Sequence, residues 1–114
     1  GNNMKLTYTV MIIISLLFGV HSLAIASDAQ EHISSAIRHA EDAEIHGRAG
    51  HTNALLEHAQ ESLAHAQAAY KASPEINHLA TSIKLLEEAI AQAKQDHAER
   101  ATDQVREALS HLRR

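Results

Sequence analysis

The sequence predicts an all-α fold, an antiparallel four-helix bundle made of two helical hairpins. Three observations carry that prediction. Beyond residue 26 the chain is rich in Ala, Glu, Gln and Leu, holds one proline, Pro74, and has no run of alternating β-branched residues; that is a composition of helix formers. Four segments align on histidines at 32, 51, 78 and 97, with starts 19, 27 and 19 residues apart. A 19-residue repeat with eight extra residues in its middle connection reads as two helical pairs. Within each segment apolar residues recur at spacings of four and three, which is the stripe of a helix in an antiparallel bundle.

Residues 1–26 precede the repeat and read as a secretory signal peptide. Met4 and Lys5 open a weakly basic stretch, an apolar run follows from Val10 to Val20, and Ala24 and Ala26 are the small residues a signal peptidase accepts. Cleavage is expected after Ala26, leaving residues 27–114 as a helical domain in the periplasm or secreted. An uncleaved anchor is the alternative, although the run is short for a full span. Gly1, Asn2 and Asn3 precede a start-like Met4 and read as additions to the natural chain.

The first helix carries Ile33, Ile37 and Ala40 on its expected core stripe, then breaks the pattern with Glu44 beside Ile45. Gly47 and Gly50 bracket its turn, where a helix can end in a left-handed residue. The second helix has Leu56, Ala59 and Leu63 and stops at Ser73-Pro74, a pair that also offers the third helix a cap and a first-turn proline. Leu79, Ile83, Leu86 and Ile90 form the stripe of the third helix, and Val105 and Leu109 that of the fourth. Asp96 followed by Glu99 resembles a capping box for the fourth helix. No glycine or proline lies between Ala91 and Arg106, so one continuous helix to the end is the alternative there. So many alanines bury little area, and marginal stability without a ligand is expected.

Composition narrows the function. The chain has 114 residues, one small domain's worth, with 14 acidic and 10 basic side chains and a net charge of −4; a nucleic-acid partner is not expected. The absence of cysteine excludes disulfides, zinc-thiolate sites, iron–sulfur clusters, covalent haem and thiol nucleophiles. Without residues 1–26 the chain has 88 residues, nine histidines, a net charge of −5, no methionine, and Tyr70 as its one Phe, Trp or Tyr. There is then no thioether for Cu(I) or haem and little to line a substrate pocket, so no enzyme is expected.

The histidines carry the chemistry. Residues seven apart on a helix differ by about 20° around the axis and roughly 10 Å along it, so two on one helix cannot share an ion, whose bonds to nitrogen are about 2 Å. A neighbouring helix, a nearby carboxylate or water must complete each site. In the first hairpin the numbers of His32 and His65, His39 and His58, and His46 and His51 all add to 97, which puts them at matching heights as three rungs. If the two stripes converge, each rung holds two imidazoles. If they diverge, the first helix instead meets the fourth and the second meets the third. Asp42 and Glu61 lie three residues after His39 and His58, giving the middle rung two nitrogens and two oxygens, a donor set suited to Cu(II), Ni(II) or Zn(II). In the second hairpin the sum is 189: His78 meets His111, Leu85 meets Gln104, and Gln92 meets His97. Capacity should therefore concentrate in residues 32–65. Positions such as Arg38, Glu57, Lys84 and Asp103 read as solvated faces.

The stretches RHAEDAEIHGRAGHTNALLEHAQESLAHAQAA and SHLRR, with the export signal before them, resemble the small metal-binding protein family. The resemblance spans the expected mature chain and is strongest over residues 32–68. It implies a small periplasmic helical protein that binds several divalent metals, copper foremost, and buffers or sequesters them. It also implies ligand status for His32, His39, His46, His51, His58, His65, His78, His97 and His111. The sequence departs from the pattern at Leu85, Gln92 and Gln104, where the repeat would place histidine.

The resulting expectation is a non-enzymatic binder of Cu(II), then Ni(II) or Zn(II), whose partners are metal ions and which keeps no stable membrane association once the signal is removed. The competing expectation is a structural or chaperone-like periplasmic bundle whose histidines form a pH-responsive surface, charged below about pH 6. A haem-binding bundle would need buried imidazoles in place of flanking ones.

Overall fold

A computed structural model describes residues 28–114; the expected signal peptide lies outside the described residues. Four helices are present among them: α1 over residues 28–48, α2 over Thr52–Ala72, α3 over Asn77–Lys94 and α4 over Ala98–Leu112. They pack in cyclic order with α4 returning beside α1, where Glu44 on α1 meets Arg106 on α4 at 3.6 Å and Glu41 meets Arg113 at 3.5 Å. The last connection does break, so α3 and α4 are separate. No helix among the described residues is long and apolar enough to cross a membrane.

Both hairpin turns are built alike, 46 residues apart. In the first, the His51 amide donates to the His46 carbonyl at 2.9 Å and the Gly50 amide to Gly47 at 3.0 Å, with Gly50 at φ 77°. In the second, the His97 amide donates to Gln92 at 2.9 Å and the Asp96 amide to Ala93 at 3.0 Å, with Asp96 at φ 61°. These are paired six-to-one and five-to-two bonds closing a helix through one left-handed residue. Asp96 is therefore the turn residue equivalent to Gly50 and not the start of a capping box; His97 occupies the N-cap of α4, with no side-chain cap bond. Ile76 precedes α3 in the same way. Pro74 sits in the turn closed by the Ile76 amide donating to the Ser73 carbonyl at 3.2 Å, a place where its fixed φ suits the second turn residue, and it is outside the first turn of α3.

Gly47 does something the turn reading missed. It stays inside α1 and is buried, and a Cβ there would overlap Thr102 Oγ1 on α4 and come within 2.5 Å of Leu55 Cδ1. Its smallness sets how closely α1 approaches its neighbours.

The expected core stripe holds at Ile33, Ala40, Ala59, Leu79, Leu86, Ile90, Val105 and Leu109, all buried, and is displaced by one residue at Ile37, Leu56, Leu63 and Ile83, each next to a buried Ala36, Leu55, Ser62 or Ser82. Ala36, Ala43 and Gly47 on α1, and Leu55, Ala59, Ser62, Ala66 and Ala69 on α2, are closed off from solvent, while Ile37, Leu56 and Leu63 are only partly buried against them. Ile45 is exposed. Small residues therefore occupy the contact line, and helices in contact through small side chains sit at the close end of the usual interaxial range of about 8–10 Å. Two buried serines exploit that proximity. Ser62 Oγ donates across the hairpin to the Ala36 carbonyl at 2.7 Å; at the corresponding level of the second hairpin Ser82 Oγ lies 2.9 Å from the His78 carbonyl and 3.5 Å from that of Ala108. Neither buried hydroxyl is left without a partner.

Candidate metal centre

Because α1 and α2 approach so closely, residues flanking their contact line are brought within side-chain reach of one another. The two histidine stripes converge. Ring centroids are 5.3 Å apart for His32–His65, 6.0 Å for His39–His58 and 6.0 Å for His46–His51. All three expected rungs exist in space. The turn itself places the last of them, since His46 and His51 are the residues whose backbones the helix-ending bond joins.

The rungs are also joined to each other. His39 stacks on His65 at 5.6 Å with the planes 5° apart, and His46 stacks on His58 at 5.3 Å and 4°. The six imidazoles thus form one row in the order 32, 65, 39, 58, 46, 51, alternating between helices. Reading the residue numbers as rungs missed these diagonals, although both diagonal pairs add to 104, one heptad away from the rung sum. Five of the six rings are half-buried and His51 is exposed.

The middle of the row is where three potential ligand atoms converge. His39, His58 and Glu61 each offer one, all within 4.8 Å of one another. Glu61 Oε2 lies 2.8 Å from His39 Nδ1, but off the direction a ring N–H would need, so that buried nitrogen makes no hydrogen bond; the buried Nδ1 of His58 has no partner either. Buried polar atoms are nearly always paired, and two unpaired ring nitrogens beside a carboxylate form a donor set that a divalent cation would satisfy. At the outer end His32 Nδ1 and His65 Nδ1 are 3.0 Å apart, about the separation of two nitrogens bound at a right angle to one ion. Burial, then the positive charge that His32, His39 and Arg38 can place beside it, hold the pKa of His65 below its ordinary value of 6.5, with Glu61 opposing. Its neutral, ligating form is favoured.

Asp42 is half-buried on α1 and lies outside the His39–His58–Glu61 cluster. Asp28, which the sequence reading passed over, comes within 3.7 Å of His32 Nε2; the four-residue spacing on one helix face was the available signal. The second hairpin keeps the geometry with different chemistry. His97 Nδ1 meets Gln92 Oε1 at 2.9 Å, Gln104 reaches Glu88 at 3.4 Å, and Leu85 packs partly buried against the core. His78 and His111 share an open cavity of about 580 Å³ with Glu75 and Arg114.

The sequence model of the family described as small metal-binding protein matches residues 4–114. The chain belongs to the small metal-binding protein family. Comparison with curated proteins finds no match. Family membership and the histidine–glutamate cluster agree on a binder of metal ions. In this member of the small metal-binding protein family, the residues able to act together are concentrated between α1 and α2.

Proposed function

We propose that the chain is a periplasmic buffer for divalent transition metals, taking Cu(II) ahead of Ni(II) and Zn(II) through the imidazoles of α1 and α2, with residues 1–26 as its export signal. The observation that carries the proposal is the unbroken row of six imidazoles, with two buried, unpartnered ring nitrogens and Glu61 at its centre. Imidazole donors favour these ions over Mg(II) or Ca(II), and the Irving–Williams order places copper first. Half-open sites on a small bundle suit reversible capture better than permanent structural binding, and no catalytic step is proposed. The chaperone-like reading has less support, since Ile45 and Tyr70 are the exposed large hydrophobics among the described residues and form no broad apolar face.

Calorimetric titration of residues 27–114 with Cu(II), Ni(II) and Zn(II) at pH 7.5 and pH 5 tests this. Protons compete for both nitrogens of a two-imidazole site, so copper affinity should fall by roughly 10²–10³-fold at the lower pH. Equal affinity at the two pH values, or nickel binding more tightly than copper, would count against it.

A further inference from the structure

We infer that the row is not three separate two-histidine sites but one array with two interchangeable registers, in which His65, His39, His58 and His46 can each pair with either of two partners on the opposite helix. The inference rests on the metal-binding reading above and concerns how the ligands are shared. Its basis is that the diagonal neighbours are as close as the rung neighbours. Rung pairs stand 5.3, 6.0 and 6.0 Å apart, and diagonal pairs 5.6 and 5.3 Å. With a metal–nitrogen bond of about 2 Å, two rings on one ion have centroids roughly 4.5 Å apart at a right angle and about 6.4 Å apart in line. All five pairs fall inside that span.

The diagonal rings are nearly parallel, so taking up an ion requires turning about χ2, a soft torsion for an imidazole. The half-buried flank gives room for it, and no helix has to move. An ion held by His39 and His58 can therefore reach the His58–His46 station by exchanging one nitrogen for another while His58 keeps hold. Ions can be handed along the seam between α1 and α2 one bond at a time, from the turn at His51 to the far end at His32, without release to solvent.

Two double variants separate this from independent rungs. His32→Gln/His51→Gln and His46→Gln/His65→Gln each remove two imidazoles, one per helix, and each breaks the same two outer rungs. Glutamine on this flank is compatible with the fold, since the second hairpin carries Gln92 and Gln104 where the first has His46 and His58; helicity checks the other three positions. The readout is the number of Cu(II) ions held by two imidazole nitrogens, counted by electron paramagnetic resonance on samples titrated with copper at pH 7.5, with helicity followed by circular dichroism. The unsubstituted chain should hold three. His32→Gln/His51→Gln should keep two, re-registered onto His65–His39 and His58–His46, while His46→Gln/His65→Gln should keep one, on His39–His58. One ion in both variants, or two in both, overturns the shared array while leaving metal binding intact. No two-nitrogen copper in the unsubstituted chain overturns both readings.

Discussion

At the scale of single residues, ligand placement depends on side chains that do no ligating. Gly47 lets α1 lie against Thr102, whose hydroxyl is fixed by donating to the Ala98 carbonyl at 2.6 Å. Gly47→Ala gains about 1 kcal/mol of helix propensity but overfills a closed contact, a change that typically costs about 1–3 kcal/mol. The variant should be less stable by urea denaturation, and adding Thr102→Ala should recover much of the loss, since the two positions share one contact. If Gly47→Ala is as stable as the parent, the close approach is not what limits this position. Among the ligands, His39→Ala/His58→Ala should remove far more bound copper, by equilibrium dialysis, than replacing Gln92 and Gln104 with alanine, which should leave capacity nearly unchanged. The reason is location: the first pair supplies the two buried unpartnered nitrogens, whereas the glutamines hydrogen-bond to His97 and Glu88.

At the scale of helices and turns, the 46-residue correspondence between hairpins makes one a control for the other. Gly50 and Asp96 hold the same left-handed position, at φ 77° and 61°, and a side chain there costs roughly 1–2 kcal/mol, less for Asp than for most residues. Asp96→Gly should therefore raise stability by about 0.5–1 kcal/mol, and Gly50→Ala, with open space around its would-be Cβ, should lower it by about 1 kcal/mol through the backbone alone. Urea midpoints at constant slope would check both. Opposite signs would mean that the two turns are not equivalent. The two-hairpin order and the matching heights of the three histidine pairs were legible in the sequence, because heptad spacing and constant sums are properties of helix period and antiparallel direction; whether the two stripes converge, and whether α3 and α4 separate, was left open there. The buried face was legible for α4 and most of α3, but it was one residue off over much of α2 and at Ile37 on α1. Apolar spacing of three and four leaves a rotation of one residue undecided, and Leu55 rather than Leu56 closes the core because alanines and serines, invisible to a hydrophobic pattern, make the contact line. Asp96 misled for a related reason: the same residue type serves N-caps and left-handed turns.

At the scale of the whole molecule, the row of imidazoles ties metal, proton and stability together. Its alanine-rich core buries little area per residue, and α1 is fastened to α4 partly by the exposed pair Glu41–Arg113, which is individually weak, and by the half-buried Glu44 facing Arg106. An ion shared by α1 and α2 would add a clip that binds the folded chain and not the unfolded one, contributing about 2.7 kcal/mol at a free concentration one hundred times its dissociation constant. For a domain of this size that corresponds to a rise in Tm on the order of 10 °C. The pH dependence has a definite sign. The pKa of His65 is lowered in the folded state, so as pH falls the unfolded chain takes up its proton first; the stability tied to neutral His65 is present above about pH 6.5 and is lost as pH drops through the lower folded value. Metal stabilisation disappears in the same direction, because protonated imidazole does not ligate. Thermal unfolding followed by circular dichroism should therefore show a large copper-dependent rise in Tm at pH 7.5 and almost none at pH 5. Without metal, the fall in Tm between those pH values should be smaller in His65→Gln than in the parent. A copper-induced rise of equal size at pH 5 would mean that carboxylates, not imidazoles, hold the ion and couple it to the fold.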